Sequence, residues 1–257
     1  MTHLHAVLRK AFRLLPLDGL MAAVREMRVR SGLAACRSGC ATIDLMAVRA
    51  VAFDIGGVLE RVAPEDQITS RWARRLGMSQ AEFAAALAYV DPDGVIETGG
   101  LTEAEMRHRY ATALGLPGSQ ADDFMTDLWD WYCGELDDEL ARYASNLRPE
   151  YRTGLLSNSA DGARREEQAR YQFAELFDVI IYSHEVGLAK PDPQVYALLC
   201  DRLNVTPDEL VFLDDAPGNV DAACQLGIRG VLHRSTSESI EAISAFLAGS
   251  DHAQGCG

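Results

Sequence analysis

The sequence predicts an α/β protein built on a parallel sheet, with a helical segment inserted after the first strand. Short apolar runs that end in polar residues recur along the chain, and such runs are typical of strands buried on both faces of a sheet. Prolines that begin helices separate several of these runs, as expected where strands and helices alternate. Five strands are predicted, at residues 48–54, 152–157, 178–182, 210–214 and 230–233.

The inserted segment is predicted to be helical from its start and stop signals. Three Ser/Thr-x-x-Glu/Asp signals mark helix starts. They are Ser79 with Glu82, Thr102 with Glu105 and, weaker because it ends in Asp, Ser119 with Asp122. Glycines at positions 77, 115 and 134 are placed to close the preceding helices. Four helices follow, at residues 64–76, 79–90, 102–114 and 119–133.

Composition narrows the class of protein. The chain has 257 residues, 48% of them hydrophobic and 24% charged, as in an ordinary soluble globular protein. Its net charge of −14 argues against nucleic-acid binding and against binding to anionic membranes. No apolar run approaches the roughly 18 residues of a membrane span. The six scattered cysteines indicate reduced thiols in a cytoplasmic protein.

Residues 1–47 differ from the remainder in charge, because they hold seven basic and three acidic residues and so carry a net charge of +4. Three interpretations stay open. The segment is a loosely structured extension, or it is upstream sequence that is not normally translated, in which case Met46 is the start. In the third interpretation it is a targeting or surface-binding helix.

Polar groups of complementary chemistry follow the predicted strands. Asp54 ends the first strand, Ser157-Asn158 the second and Asp214-Asp215 the fourth, and Lys190 stands before a Pro-Asp-Pro turn. Because ligands bind at the carboxyl edge of an open α/β sheet, we expect these groups to meet there. A carboxylate, a hydroxyl, an ammonium and a carboxylate pair are the groups that phosphoryl transfer needs.

These four clusters, in this order, resemble the haloacid dehalogenase (HAD) superfamily of phosphotransferases, and the resemblance runs from about Val48 to Leu247. It implies an α/β fold with a Rossmann-like parallel sheet core, formed by residues 48–61 and 136–249. Residues 62–135 would form an inserted all-helical cap domain. The Asp-x-Gly-Gly-Val motif at Asp54 is similar to that of a sub-branch that contains sugar-phosphate phosphatases.

The resemblance also implies a role for each matched residue. Asp54 would be the nucleophile, and Lys190 would bridge it to the phosphate. Ser157 and the amide of Asn158 would bind phosphoryl oxygens. A Mg²⁺ cofactor would be held by Asp54, the backbone carbonyl of Gly56, Asp214 and Asp215. Of the two adjacent aspartates, Asp214 would bind the metal directly. Asp215 is also expected to cap the helix that begins at Pro217.

Gly56 departs from the commonest pattern of the superfamily, in which an Asp at this position acts as general acid and base. Such a group typically contributes roughly 10²–10⁴-fold in rate. Water, a residue of the cap or a good leaving group would have to replace it.

The expected function is therefore a Mg²⁺-dependent phosphatase that hydrolyses a small phosphorylated metabolite, such as a sugar phosphate, through an aspartyl-phosphate. Two alternatives stay open. One is a haloacid dehalogenase, which needs no metal and usually has an aromatic residue where Gly56 stands. The other is a non-catalytic binding protein of the same fold. A monomer or a homodimer is expected.

Overall fold

The computed structural model describes residues 47–61, 64 and 66–254. The interpretations offered for residues 1–46, and those for Cys36, Cys40 and Cys256, lie outside this range. The three cysteines within it, Cys133, Cys200 and Cys224, are free thiols.

A five-stranded parallel sheet forms the centre of the molecule. The strands of the described residues are β1 (Ala50–Phe53), β2 (Glu60–Arg61), β3 (Glu135–Leu136), β4 (Arg152–Ser157), β5 (Val179–Tyr182), β6 (Leu210–Asp214) and β7 (Arg229–Leu232). The central sheet has the order β5-β4-β1-β6-β7, and all its neighbours are parallel. The α/β prediction is confirmed, and each predicted strand end lies within two residues of the observed one.

Helices cover both faces of this sheet and fill the long connection between β2 and β3. They are α1 (Asp66–Leu76), α2 (Gln80–Ala88), α3 (Glu103–Leu114), α4 (Gly118–Cys133), α5 (Asp138–Asn146), α6 (Ala163–Tyr171), α7 (Phe173–Leu176), α8 (Ser183–Val186), α9 (Pro193–Leu203), α10 (Pro217–Gln225) and α11 (Thr236–Gln254). Short 3₁₀ turns occur at Ile96–Thr98 and Pro207–Glu209.

Alternation along β1 shows why its sequence is apolar throughout. Val51 and Phe53 pack into the core on one face of the sheet, whereas Ala50 and Ala52 pack into the core on the other. Successive side chains of a strand point to opposite faces, and helices cover both faces here. A central strand in this position has no side chain that can face water.

Helices α1 to α4 and the turn at Ile96–Thr98, called here the helical insertion, have an aromatic centre. The ring of Phe124 lies 5.2 Å from Trp72 and 5.1 Å from Tyr110, centroid to centroid. Trp129 and Trp131 are also buried, whereas Tyr89 is 78% exposed.

Two of the three predicted capping boxes are confirmed. The side chains of Ser79 and Thr102 accept from the backbone N–H of Glu82 and Glu105, and both glutamates return the hydrogen bond. The third prediction is wrong. Helix α4 begins after Pro117, which has no side chain able to cap it, and Asp122 binds Arg107 instead.

The two connections to the helical insertion are tied together. Strands β2 and β3 pair antiparallel, with Glu60 opposite Leu136. The buried carboxylate of Asp137 accepts hydrogen bonds from Arg61 at 2.9 Å and from Thr236 at the start of α11. The chain therefore leaves and re-enters the sheet region at one fixed point. Within the described residues, no helix has the length and apolar character needed to cross a membrane.

Candidate active site

Asp54 follows β1 directly and is buried at the carboxyl edge of the sheet. Its Oδ1 accepts the backbone N–H of Ile55 at 2.8 Å, and its own N–H donates to the carbonyl of Leu213 at 2.8 Å. Phe53 pairs in register with both Leu155 and Leu213. This register brings the residues that follow in each strand to the same edge.

Asp214 ends β6 beside Asp54, and two neighbours in the next turn donate hydrogen bonds to its carboxylate. The N–H of Ala216 donates to its Oδ1 at 2.8 Å, and the amide of Asn219 donates to both oxygens at 3.0 Å. The expectation that Asp215 caps the next helix is wrong: α10 has Ala216 at its N-cap position, without a side-chain cap bond. Nothing in the sequence singles out Asn219, because Asn in a first helical turn is ordinary.

Lys190 lies between two of these carboxylates. Its Nζ is 2.6 Å from Oδ1 of Asp54 and 2.8 Å from Oδ2 of Asp214, and its side chain is 1% exposed. Burial alone would lower the pKa of Lys190, but the charges of Asp214 and Asp54 outweigh it and raise the pKa above its ordinary value. The ammonium therefore stays charged. The chain contains only one other lysine, Lys10.

Three carboxylates converge at this edge. Asp54, Asp214 and Asp215 each place an oxygen within 4.8 Å of the other two. Hard oxygen donors in this arrangement suit a divalent cation such as Mg²⁺, which would offset their mutual repulsion. The donor set fits the metal that the sequence predicts.

Gly57 adapts the backbone to this cluster. It adopts a positive φ of 84°, and a Cβ placed on it would lie 2.7 Å from Oδ2 of Asp215. Only glycine allows both the left-handed conformation and the close approach of the carboxylate. The second glycine of the Asp-x-Gly-Gly-Val motif is therefore required for steric reasons.

Ser157 and Asn158 complete the edge at the end of β4. Ser157 is buried, and Asn158 is half-buried. The side chain of Asn158 is already engaged: Nδ2 donates to Glu97 and to the carbonyl of Lys190, and Oδ1 accepts the N–H of Lys190. A phosphate contact from Asn158 would have to come from its backbone.

Two buried carboxyl groups that were not predicted lie behind the site. Glu60 on β2 and Glu167 on α6 are both fully enclosed, and within the described residues three of their four oxygens have no hydrogen-bond partner. Oε2 of Glu167 accepts from Tyr182. Burial, then the charges of Glu167 and Asp54, raise the pKa of Glu60 well above its ordinary value.

Glu167 provides a test of this pair through the pH dependence of stability. Burial raises its pKa from the ordinary 4.5 to about 8, Asp54 adds to the shift, and Tyr182 and Arg164 oppose it. Because the pKa of Glu167 is higher in the folded state, its protonated form stabilises the fold. This contribution to the free energy of unfolding is fully present below pH about 4.5, the unfolded-state pKa, and is lost as the pH rises through about 8, the folded-state pKa. The loss is at most ~1.4 kcal/mol per pH unit.

Glu167→Gln keeps an acceptor for Tyr182 but cannot ionise. We expect its melting temperature to exceed that of the wild type at pH 8.5 and to match it more closely at pH 5. Glu139→Gln, an exposed position on α5, serves as control in the same thermal scans. A constant difference between wild type and Glu167→Gln across this range would contradict the prediction.

Comparisons with known proteins bear on the family and the fold of the chain. The family model of the haloacid dehalogenase-like hydrolases matches residues 48–227. The "bifunctional epoxide hydrolase 2" of Sus scrofa is 30% identical over 217 residues, 76% of this chain and 38% of that protein. The "phosphorylated carbohydrates phosphatase" of Thermotoga maritima is 38% identical over 71 residues, 26% of this chain and 33% of that protein. Dehalogenases are also among the matching proteins.

The match spans well under two thirds of the length of the epoxide hydrolase of Sus scrofa. Among solved structures, a HAD family enzyme of Bacteroides thetaiotaomicron, determined with magnesium and inorganic phosphate, superposes with a TM-score of 0.64. The match has 22% identity and covers 73% of this chain and 95% of that chain. The family match covers well over half of the sequence, so the chain belongs to the haloacid dehalogenase-like hydrolases.

Proposed function

We propose that the protein is a Mg²⁺-dependent phosphatase that hydrolyses a small phosphorylated metabolite, such as a sugar phosphate, through an aspartyl-phosphate. The observation that carries the proposal is the buried cluster in which Lys190 lies within 2.8 Å of Asp54 and Asp214, with Asp215 alongside. The phosphatase of Thermotoga maritima among its relatives supports the choice of a phosphorylated carbohydrate as substrate.

In this proposal Asp54 is the nucleophile. Its carboxylate attacks phosphorus, the bond from phosphorus to the leaving oxygen breaks, and water then hydrolyses the acyl phosphate. Lys190 offsets the repulsion between the attacking carboxylate and the anionic phosphoryl group. The hydroxyl of Ser157 and the backbone N–H of Asn158 bind phosphoryl oxygens.

Asp54, the carbonyl of Gly56, Asp214 and Asp215 would hold the Mg²⁺. When bound, the metal would neutralise charge on the carboxylates and on the transferring phosphoryl group. Asn219 keeps both oxygens of Asp214 oriented. We also propose that residues 62–135, which contain the helical insertion, form a cap domain that excludes bulk water from the reaction. We further propose that the Asp-x-Gly-Gly-Val motif at Asp54 places the chain in the sub-branch that shares this motif.

The main alternative is a dehalogenase, in which the same Asp would attack carbon instead of phosphorus. The three converging carboxylates favour the phosphatase, since a dehalogenase needs no metal and so has no use for a metal-binding carboxylate cluster. The deciding experiment measures phosphate release from a panel of phosphorylated metabolites with Mg²⁺ and with EDTA, and halide release from 2-haloacids. Phosphate release that EDTA abolishes supports the proposal, whereas metal-independent halide release overturns it.

Gly56 leads to a prediction about the leaving group. Because this position offers no acid to protonate the leaving oxygen, log(kcat/KM) should fall steeply as leaving-group pKa rises across aryl and alkyl phosphates. A leaving oxygen of low pKa needs little protonation in the transition state, but an alkoxide needs it strongly. A flat dependence, with chemistry shown to limit the rate, would mean that another residue supplies the proton.

A further inference from the structure

Asn158 holds the backbone of Lys190 at two points. Its Oδ1 accepts the N–H of Lys190 at 2.8 Å, and its Nδ2 donates to the carbonyl of Lys190 at 2.9 Å. The second hydrogen of Nδ2 goes to Oε2 of Glu97 at 3.0 Å. Both donors of the amide are therefore used, and its orientation is determined from the two sides.

Glu97 reaches this amide from the helical insertion. It lies in the turn Ile96–Thr98, 61 residues before Asn158 in the chain. The carboxylate of Asp91 fixes the turn by accepting the backbone N–H groups of Val95 and Ile96 at 2.9 and 3.1 Å. These two hydrogen bonds hold the turn that carries Glu97 in its observed conformation.

The same turn contacts the segment that leads to Lys190. A Cβ on Gly99 would lie 2.2 Å from the carbonyl oxygen of His184, so the two backbones are in direct contact. His184 belongs to α8, whose C-cap residue Gly187 lies three residues before Lys190. The turn therefore meets the lysine segment both through this contact and through Asn158.

We propose that Glu97 is a positioning residue for Lys190. By orienting Asn158, it sets the backbone of Lys190, and this backbone places Nζ between Asp54 and Asp214. The position of the lysine backbone then depends on the packing of this turn against the sheet edge, in addition to the ion pairs that Nζ makes with Asp54 and Asp214. The consequence for turnover rests on the proposed phosphatase function, whereas the structural claim stands independently of it.

The two lysines of the chain make the claim directly measurable. Protein labelled with [¹⁵N]lysine gives backbone amide signals from Lys10 and Lys190 alone. In Glu97→Ala the hydrogen bond from the Lys190 amide to Asn158 should open more often, so its hydrogen exchange should accelerate at least about tenfold. Glu97→Gln retains an acceptor for Nδ2 and should stay near wild type. The exposed Asp93 supplies the matched control, Asp93→Ala.

Turnover gives a second readout that separates positioning from proton donation. Glu97→Ala should lower kcat about 10–100-fold with KM changed less than about threefold, because Lys190 is misplaced. Glu97→Gln should restore most of kcat, and the leaving-group dependence should keep its slope. If Gln is as inactive as Ala and the slope steepens, Glu97 is a proton donor and the proposal is wrong.

The two readouts also separate this proposal from the proposed function. Unchanged exchange of the Lys190 amide in Glu97→Ala overturns the positioning role, whatever the activity. If the wild type releases no phosphate from any substrate, the phosphatase proposal fails, but the exchange measurement still decides the role of Glu97. Should Glu97→Ala not fold, Glu97→Met, which has similar volume and no acceptor oxygen, replaces it.

Discussion

Replacing Asp54 by Asn is expected to reduce the kcat of phosphate release at least about 10³-fold, because the amide cannot form the acyl phosphate. The variant should still fold, since Asn has nearly the same volume and its carbonyl oxygen can accept the hydrogen bond that Ile55 donates to Asp54. Steady-state phosphate release with saturating Mg²⁺ measures the effect, and circular dichroism verifies the fold.

Asp201→Asn is the matched control, because Asp201 is an exposed carboxylate on α9. Its kcat should equal that of the wild type. Residual turnover in Asp54→Asn above about a tenth of the wild-type rate would mean that Asp54 is not the nucleophile.

Replacing Lys190 by Met is expected to destabilise the protein by about 3–5 kcal/mol when EDTA is present. The substitution leaves two buried carboxylates, Asp54 and Asp214, without the cation that now contacts both. Removing one partner of a buried ion pair typically has a cost of this size. With Mg²⁺ the loss should be smaller, because a bound divalent cation offsets the same repulsion.

Denaturant unfolding with and without Mg²⁺ measures both effects. Arg202→Met, an exposed cation on the same helix as the first control, should change the free energy of unfolding by no more than about 0.5 kcal/mol. A loss below about 1 kcal/mol for Lys190→Met in EDTA would show that the ammonium does not neutralise these carboxylates.

The strands and the edge residues were predictable because their causes are local. A strand covered by helices on both faces must be apolar at consecutive positions, and β1 and β6 have this pattern. Parallel strands end at one edge, so Asp54, Ser157 and Asp214 could be grouped before any distance was known. The two confirmed capping boxes are local in the same sense, since each involves residues three positions apart.

Local signals were insufficient where a partner comes from elsewhere in the chain. The start predicted at Ser119 was wrong because Asp122 binds Arg107, 15 residues away, and the helix begins after Pro117. The sequence also did not show that the side chain of Asn158 binds the backbone of Lys190 and the carboxylate of Glu97. No sequence pattern records such choices, because they depend on which elements pack together.

By itself, the sequence determined the class of fold, the order of its strands and helices along the chain, and which residues stand at the strand ends. These follow from hydrophobic periodicity and from helix-start and helix-stop signals, which act over a few residues. Only the tertiary structure decided which charged groups pair in the site and which distant residues hydrogen-bond there. Lys190 pairs with Asp214 across 24 residues, Glu97 with Asn158 across 61, and Glu60 and Glu167 come from β2 and α6 to be buried together. Each of these contacts depends on chain segments that become neighbours only when the sheet and the helical insertion have assembled.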